Sequence, residues 1–290
     1  MQSNSTPVVR RISFDYSNID VSAWHPRLPE FACGANAISI LMPHAEPYVI
    51  RAVRSAARQS DDRDLRHNVD IWAGQEAAHF RAHRNFNEQL LAQSRVARLL
   101  DRVGRRIFGW LGSRSPAFGA AFAAAFEIVA FASARWTEER LTDLMAGADD
   151  EAASLYLWHL AEEIEHKGVA HDVMVATEGS RRFYPLGTLT AFVFLIGFTL
   201  FGGLALFVSS RHVFNPIRWM RLIGWGFSLA WVLLPLLASS LTRDFHPESL
   251  VDPPWMAQWL MEFDPVTNTL PVWTQAGMGL GRTSAPPLAA

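Results

Sequence analysis

Trp158-His-Leu-Ala-Glu-Glu-Ile-Glu-His-Lys-Gly-Val-Ala-His-Asp-Val173 is the stretch from which the rest of the chain is read. At about 100° per helical residue, His159, Glu163 and His166 fall within an arc of about 60°. One helix face therefore carries two imidazoles and a carboxylate, flanked by Leu160, Val169 and Val173. A solvated face would set Lys or Arg against Glu, yet Lys167 is the sole lysine of the 290 residues. Glu-x-x-His is a short motif, so on this segment alone an exposed Glu-rich surface stays open.

A second copy narrows the choice. Residues 74–83 read Gly-Gln-Glu-Ala-Ala-His-Phe-Arg-Ala-His, and Glu76 and His79 repeat the spacing of Glu163 and His166. Two Glu-x-x-His helices, each paired with a helix that supplies one more Glu, are how a four-helix bundle holds two metal ions in its core. Two further carboxylates stand in the expected order: Glu46 precedes Glu76 by 30 residues, and Glu127 precedes Glu163 by 36. Glu127 is the only charge between Arg114 and Arg135, in Ala-Phe-Ala-Ala-Ala-Phe-Glu-Ile-Val-Ala-Phe-Ala. A lone carboxylate on an apolar helix must be neutralised, paired or bound to metal. The spacing predicts that Glu46, Glu76, His79, Glu127, Glu163 and His166 converge on two ions roughly 3 to 4 Å apart.

The fold expected is all-α, a ferritin-like four-helix bundle with a C-terminal hydrophobic helical hairpin. Residues 1–34 read as an irregular arm broken by Pro7, Pro26, Pro29 and Gly34. The bundle occupies 35–180, with helices near 45–60, 65–93, 116–145 and 150–177 and an amphipathic connector near 96–112. Ser115-Pro116 is a good cap and first helical residue, and Gly168 inside the fourth helix costs about 1 kcal/mol.

Beyond Arg182 the composition changes. No charged residue occurs from Phe183 to Ser210, nor from Leu222 to Thr242, lengths that cross a hydrocarbon core of about 30 Å. Residues 183–242 are therefore a transmembrane hairpin candidate, with Pro216 and Trp219 in its loop. Topology is not readable from charge: Arg211, Arg218 and Arg221 lie in the loop, against Arg181, Arg182 and Arg243 outside it. The alternative is a hairpin packed on the bundle, on a second copy or into one leaflet. Residues 243–290 form an amphipathic segment at 245–263, with Trp255 and Trp259, and a tail past Thr267 expected to be mobile.

Half of the residues are apolar and the net charge is −2. Arginine is scattered rather than gathered in a stripe, which argues against nucleic acid as a partner. A single cysteine, Cys33, excludes an intramolecular disulfide framework, and the polar start has no signal-peptide core. The metal domain is expected in the cytoplasm, anchored at the inner membrane by the hairpin.

Several stretches together resemble a bacterial family labelled "predicted metal-dependent hydrolase", a ferritin-like group. They are Asn36-Ala-Ile-Ser-Ile-Leu-Met-Pro with Glu46, Ile50-Arg-Ala-Val-Arg, Gly74-Gln-Glu-Ala-Ala-His with His83 and Phe86-Asn87, and Trp158-His-Leu-Ala-Glu-Glu-Ile-Glu-His-Lys. The resemblance runs from about residue 13 to Phe245-His-Pro. The family pattern has His straight after the third-helix Glu, where this chain has Ile128. More distantly, His159-x-x-x-Glu163-x-x-His166 is similar to the fourth helix of the di-iron arylamine N-oxygenases, in which an extra His joins four Glu and two His. That similarity implies seven ligands: Glu46, Glu76, His79, Glu127, His159, Glu163 and His166. His83, Asn87 and Glu162 are expected to support them by hydrogen bonds. Glu165 should point away, and His171 and Asp172 lie off the arc.

Mixed carboxylate and imidazole donors suit iron, with manganese or zinc as alternatives. The leading expectation is a di-iron oxidase or oxygenase acting on an apolar small molecule and supplied by an external electron donor. A hydrolase using the same two ions is the alternative. A non-catalytic, membrane-associated metal-binding protein is the third reading. Membrane lipid and a homodimer are the further partners expected.

Overall fold

Asp62, Ser115 and Asp149 each accept hydrogen bonds from backbone N–H groups at the start of the helix that follows. Such caps satisfy otherwise orphaned donors. In the computed structural model, which describes residues 8–271, the helices are α1 Pro29–Ala57, α2 Arg63–Gln93, α3 Arg95–Leu111, α4 Pro116–Glu138, α5 Leu141–Met145 and α6 Asp150–His166. They continue as α7 Val169–Ala176, α8 Ser180–Ala191, α9 Gly197–Val208, α10 Pro216–Ser240 and α11 Pro254–Met261. A π-helical turn, Phe192–Ile196, joins α8 to α9 into one rod. The chain is all-α, with no strand among the described residues. Its bundle pairs α1 with α2 and α4, and α6 with α2 and α4. The expected mobile tail lies largely outside the described residues.

Three boundaries differ from the sequence reading. The first helix begins at Pro29 rather than near 45, and it runs through Pro43 and Pro47. Each interior proline removes a helical N–H. The carbonyl of Ser39, which the missing N–H of Pro43 leaves free, instead accepts from Asn87 Nδ2 at 2.6 Å. Burial of most of α1 against α2, α4 and α9 supplies the rest. The third bundle helix stops at Glu138, and Glu138 accepts from the backbone N–H of Trp255 and Met256 at the start of α11. The fourth is broken at Lys167 and Gly168. There the Glu248 side chain fills the space that a Cβ on Gly168 would need.

The apolar C-terminal helices lie along the bundle rather than apart from it. Gly187 lets α8 approach the backbone of Ala121 and Phe122, where an added Cβ would meet atoms at 2.8 to 2.9 Å. Gly203 brings α9 equally close to the backbone at Gly34. Arg218 and Arg221 of α10 both pair with the fully buried Glu30 at the start of α1, at 3.0 and 3.2 Å. Two of the loop arginines thus have a protein partner and carry little information about topology.

The opposite face is bare. Phe201, Phe227 and Trp231 are 76 %, 75 % and 84 % exposed, with Leu189, Val193, Leu200, Met220 and Ile223 beside them. Among the described residues, three helices are long and apolar enough to cross a membrane: α4, the rod Ser180–Val208, and α10. Of these, α4 is enclosed by the bundle. The amphipathic segment expected at 245–263 includes α11, which packs on α6 through buried Met256, Trp259 and Leu260.

Candidate metal centre

Glu46 comes from α1, Glu76 and His79 from α2, Glu127 from α4, and His159, Glu163 and His166 from α6. The i, i+3 and i+4 spacings bring each set to one face. In the closed bundle those faces meet. All four carboxylates and His79 have no exposed surface, His166 has 1 %, and His159 has 7 %.

Glu163 stands at the middle. Its Oε1 lies 2.8 Å from His159 Nε2 and 3.8 Å from His79 Nδ1, while Glu46 Oε1 lies 3.7 Å from the same His159 nitrogen. Its Oε2 lies 3.4 Å from His166 Nδ1, which is also 2.7 Å from Glu76 Oε1 and 3.9 Å from Glu127 Oε2. Two overlapping donor groups result, Glu46 with His79 and His159, and Glu76 with His79, Glu163 and His166. Donors about 2.0 to 2.2 Å from one ion sit about 3 Å apart, and these separations bracket that value.

The donor atoms fit metal on a second count. Both oxygens of Glu46 and of Glu76, one each of Glu127 and Glu163, and the Nδ1 atoms of His79 and His166 are buried with no hydrogen bond. The 2.7 Å approach of His166 to Glu76 is not aligned as one. Native interiors leave few such atoms, and these eight belong to the residues of one cluster. Charge agrees: four buried carboxylates carry about −4 when ionised, which two divalent ions balance while neutral imidazoles complete the shell.

Without ions the protons must rearrange. Burial, then the neighbouring carboxylates, push Glu46 and Glu127 well above the usual carboxylate range. Burial acts the same way on Glu163, but His166 and His159 overcome it and hold that carboxyl well below its ordinary value. Burial would lower His166, yet Glu163 and Glu76 raise it well above the usual imidazole range. Burial and His159 hold His79 and His83 well below it.

A second layer of contacts orients the imidazoles. His79 Nε2 donates to Glu162 at 2.8 Å, and Glu162 accepts from Arg10 at 3.0 Å. His166 Nε2 donates to Gln75 Oε1 at 3.2 Å, and Gln75 donates to Glu165 and to the carbonyl of Val8. Each ring then turns its bare Nδ1 to the centre. On the third ring the roles reverse. With Nε2 of His159 facing the cluster, Nδ1–H donates to His83 Nε2 at 2.6 Å, and His83 donates to Ser39 Oγ at 2.9 Å. Ser39 in turn donates to Asn87 Oδ1 at 2.7 Å. Trp72 donates to Glu127 Oε1 at 3.2 Å. Outer contacts of this kind fix tautomer and orientation.

Arg10, Gln75, Trp72 and Ser39 were not singled out from the sequence. Gln75 adjoins Glu76 and Trp72 lies one turn before it, so helical spacing could have found them. Arg10 is 152 residues from Glu162, and nothing in the sequence signals that pairing. Glu165 does point away from the cluster, onto Arg10 at 2.9 Å. A surface groove of about 210 Å³, lined by Phe14, Trp158 and Trp259 among others, lies outside the cluster. Trp158 separates it from His79, the two rings standing edge to face at 4.8 Å.

Residues 8–250 match a family model described as "Predicted metal-dependent hydrolase". No curated protein and no solved structure matches the chain.

Proposed function

The chain belongs to the predicted metal-dependent hydrolase family, and within it we propose a ferritin-like, dinuclear metalloenzyme that uses O₂ to oxidise an apolar small molecule. Glu46, Glu76, His79, Glu127, Glu163 and His166 would hold the two ions, with His159 as a seventh ligand. Iron is the metal this reading assigns, since a carboxylate-rich set with imidazoles suits iron or manganese. When bound, the ions supply O₂ reduction, with electrons from an external donor.

The observation that carries this reading is enclosure. Every carboxylate donor is fully buried. O₂ and an apolar substrate enter such a space at little cost, whereas a polar scissile group must be stripped of water. The protein's own part is to exclude water and to fix three imidazoles through Glu162, Gln75 and His83.

Hydrolysis is the second reading, favoured by the family description. Two ions in such a site would lower the pKa of bound water and clamp both oxygens of a displacement. Iron-loaded, reduced protein should consume O₂, and variants lacking Glu163 should not. Ester or phosphoester cleavage by the zinc- or manganese-loaded protein, with no O₂ uptake by the iron form, would reverse the order of the two readings.

We assign the bare outer face of α8, α9 and α10 to lipid, at the inner membrane, with the bundle on the cytoplasmic side. An apolar face of this extent in water associates. Fractionation tests this: the protein should stay with membranes and require detergent. A soluble dimer without detergent would place the same face between two copies.

A further inference from the structure

We propose a second, mononuclear metal site outside the buried cluster, in which His171 and Asp172 of α7 and His246, in the segment after α10, bind one zinc-class divalent cation. The donors come from two distant parts of the chain. His246 Nε2 lies 3.0 Å from Asp172 Oδ1, and His171 Nδ1 lies 3.9 Å from the same oxygen. The two rings stand edge to face with centroids 4.9 Å apart. One donor atom from each residue lies within 4.8 Å of the other two. A tetrahedral ion about 2.0 to 2.1 Å from its donors holds them about 3.3 Å apart. The observed separations bracket that figure, so side-chain rotation suffices to close the site.

His171 supplies the observation that calls for a ligand. Its side chain is 4 % exposed, and its Nδ1 is buried without a hydrogen bond. The 3.9 Å to Asp172 is too long to be one. Asp172 and His246 are half-exposed, which gives a hydrated ion a way in and leaves a fourth position for water. Two imidazoles with one carboxylate suit zinc better than calcium or magnesium, which prefer oxygen alone. To coordinate through Nε2, His246 must carry its proton on Nδ1, so the 3.3 Å approach of Glu248 N–H to that atom opens when the ion binds. Lys167, four residues before His171, is already paired with Asp252.

The site is separate from the cluster. His171 lies five residues beyond His166, across the break at Lys167 and Gly168, about 7.5 Å along a helix axis. An ion there joins the end of the apolar hairpin to the helix that continues the cluster's own. Hairpin and cluster then have a metal-dependent link as well as a packed one.

The test uses the full-length protein, purified metal-free, incubated with excess zinc, desalted and counted for zinc per chain. His246→Ala and Asp172→Asn are treated in parallel, each checked for unchanged helix content. Each variant should hold one ion fewer than the parent, and zinc should raise the parent's thermal midpoint by more than it raises the variants'. The difference is read whatever number of ions the cluster holds, so its failure is distinct from failure of the cluster reading. Equal counts in the parent and Asp172→Asn would overturn the proposal. Should His246→Ala lower the count by more than one, Asp172→Asn decides by the same criterion.

Discussion

Glu127→Gln should stabilise the metal-free protein and lose part or all of that advantage when metal binds. Glu127 has no exposed surface, and burial with its carboxylate neighbours holds its pKa well above the usual range. A folded-state pKa raised above the unfolded value, about 4.3, means that stability present below that pH is lost as pH rises through the folded pKa. Glutamine imitates the protonated form and keeps the acceptor for Trp72 Nε1 at 3.2 Å. The metal-free variant should therefore exceed its parent at pH 8, with the two converging towards pH 4. Replacing an uncompensated buried charge is worth about 1 to 4 kcal/mol. With metal this advantage shrinks or reverses. Free metal at 100 times Kd stabilises the parent by about 2.7 kcal/mol. If loss of the ligand weakens binding 100-fold, the same concentration gives the variant only about 0.4 kcal/mol. Urea titrations at pH 5 and 8, in detergent, with and without iron or zinc, read all four values. A Glu127→Gln effect of the same size with and without metal would refute the reasoning and make Glu127 an ordinary core residue.

Other expectations follow from the same contacts. Metal loading should release protons, because Glu46, Glu127 and His166 hold them above their usual ranges; calorimetry in two buffers of different ionisation enthalpy should show release that grows as pH falls from 8 to 6. Arg10→Gln leaves Glu162 buried without its cation, so stability should fall by about 3 to 5 kcal/mol and metal affinity by about 10- to 100-fold; unchanged affinity by competition with a chelator would remove Arg10 from the site. Gly187→Val drives a side chain into the backbone of Ala121 and should cost about 1 to 3 kcal/mol in thermal unfolding, with metal content unaltered.

The bundle was legible because its signal repeats at helical period. Glu-x-x-His twice, with Glu46 and Glu127 at matched spacing, needs only α1, α2, α4 and α6 to close face to face, and the structure brings all seven donors together. What escaped depends on contacts between remote residues. The start of α1 was hidden by Pro29, Pro43 and Pro47, since local rules read proline as a breaker and cannot see Asn87 reaching the carbonyl of Ser39. The arginines around the hairpin gave no topology because two of them answer to Glu30, nearly 190 residues earlier. Close approach at Gly187 and Gly203 is likewise invisible until α8 and α9 lie on the bundle. His171 and Asp172 lie off the metal-facing arc, and their relation to His246 exists only in three dimensions.

X-ray absorption at the metal edge of the full-length, iron-loaded protein tests the central claim most directly. The account predicts nitrogen and oxygen ligands near 2.0 to 2.2 Å and a second metal scatterer about 3 to 4 Å away, lost in Glu163→Ala. A metal environment with no neighbouring ion, or one unchanged by Glu163→Ala, would contradict it.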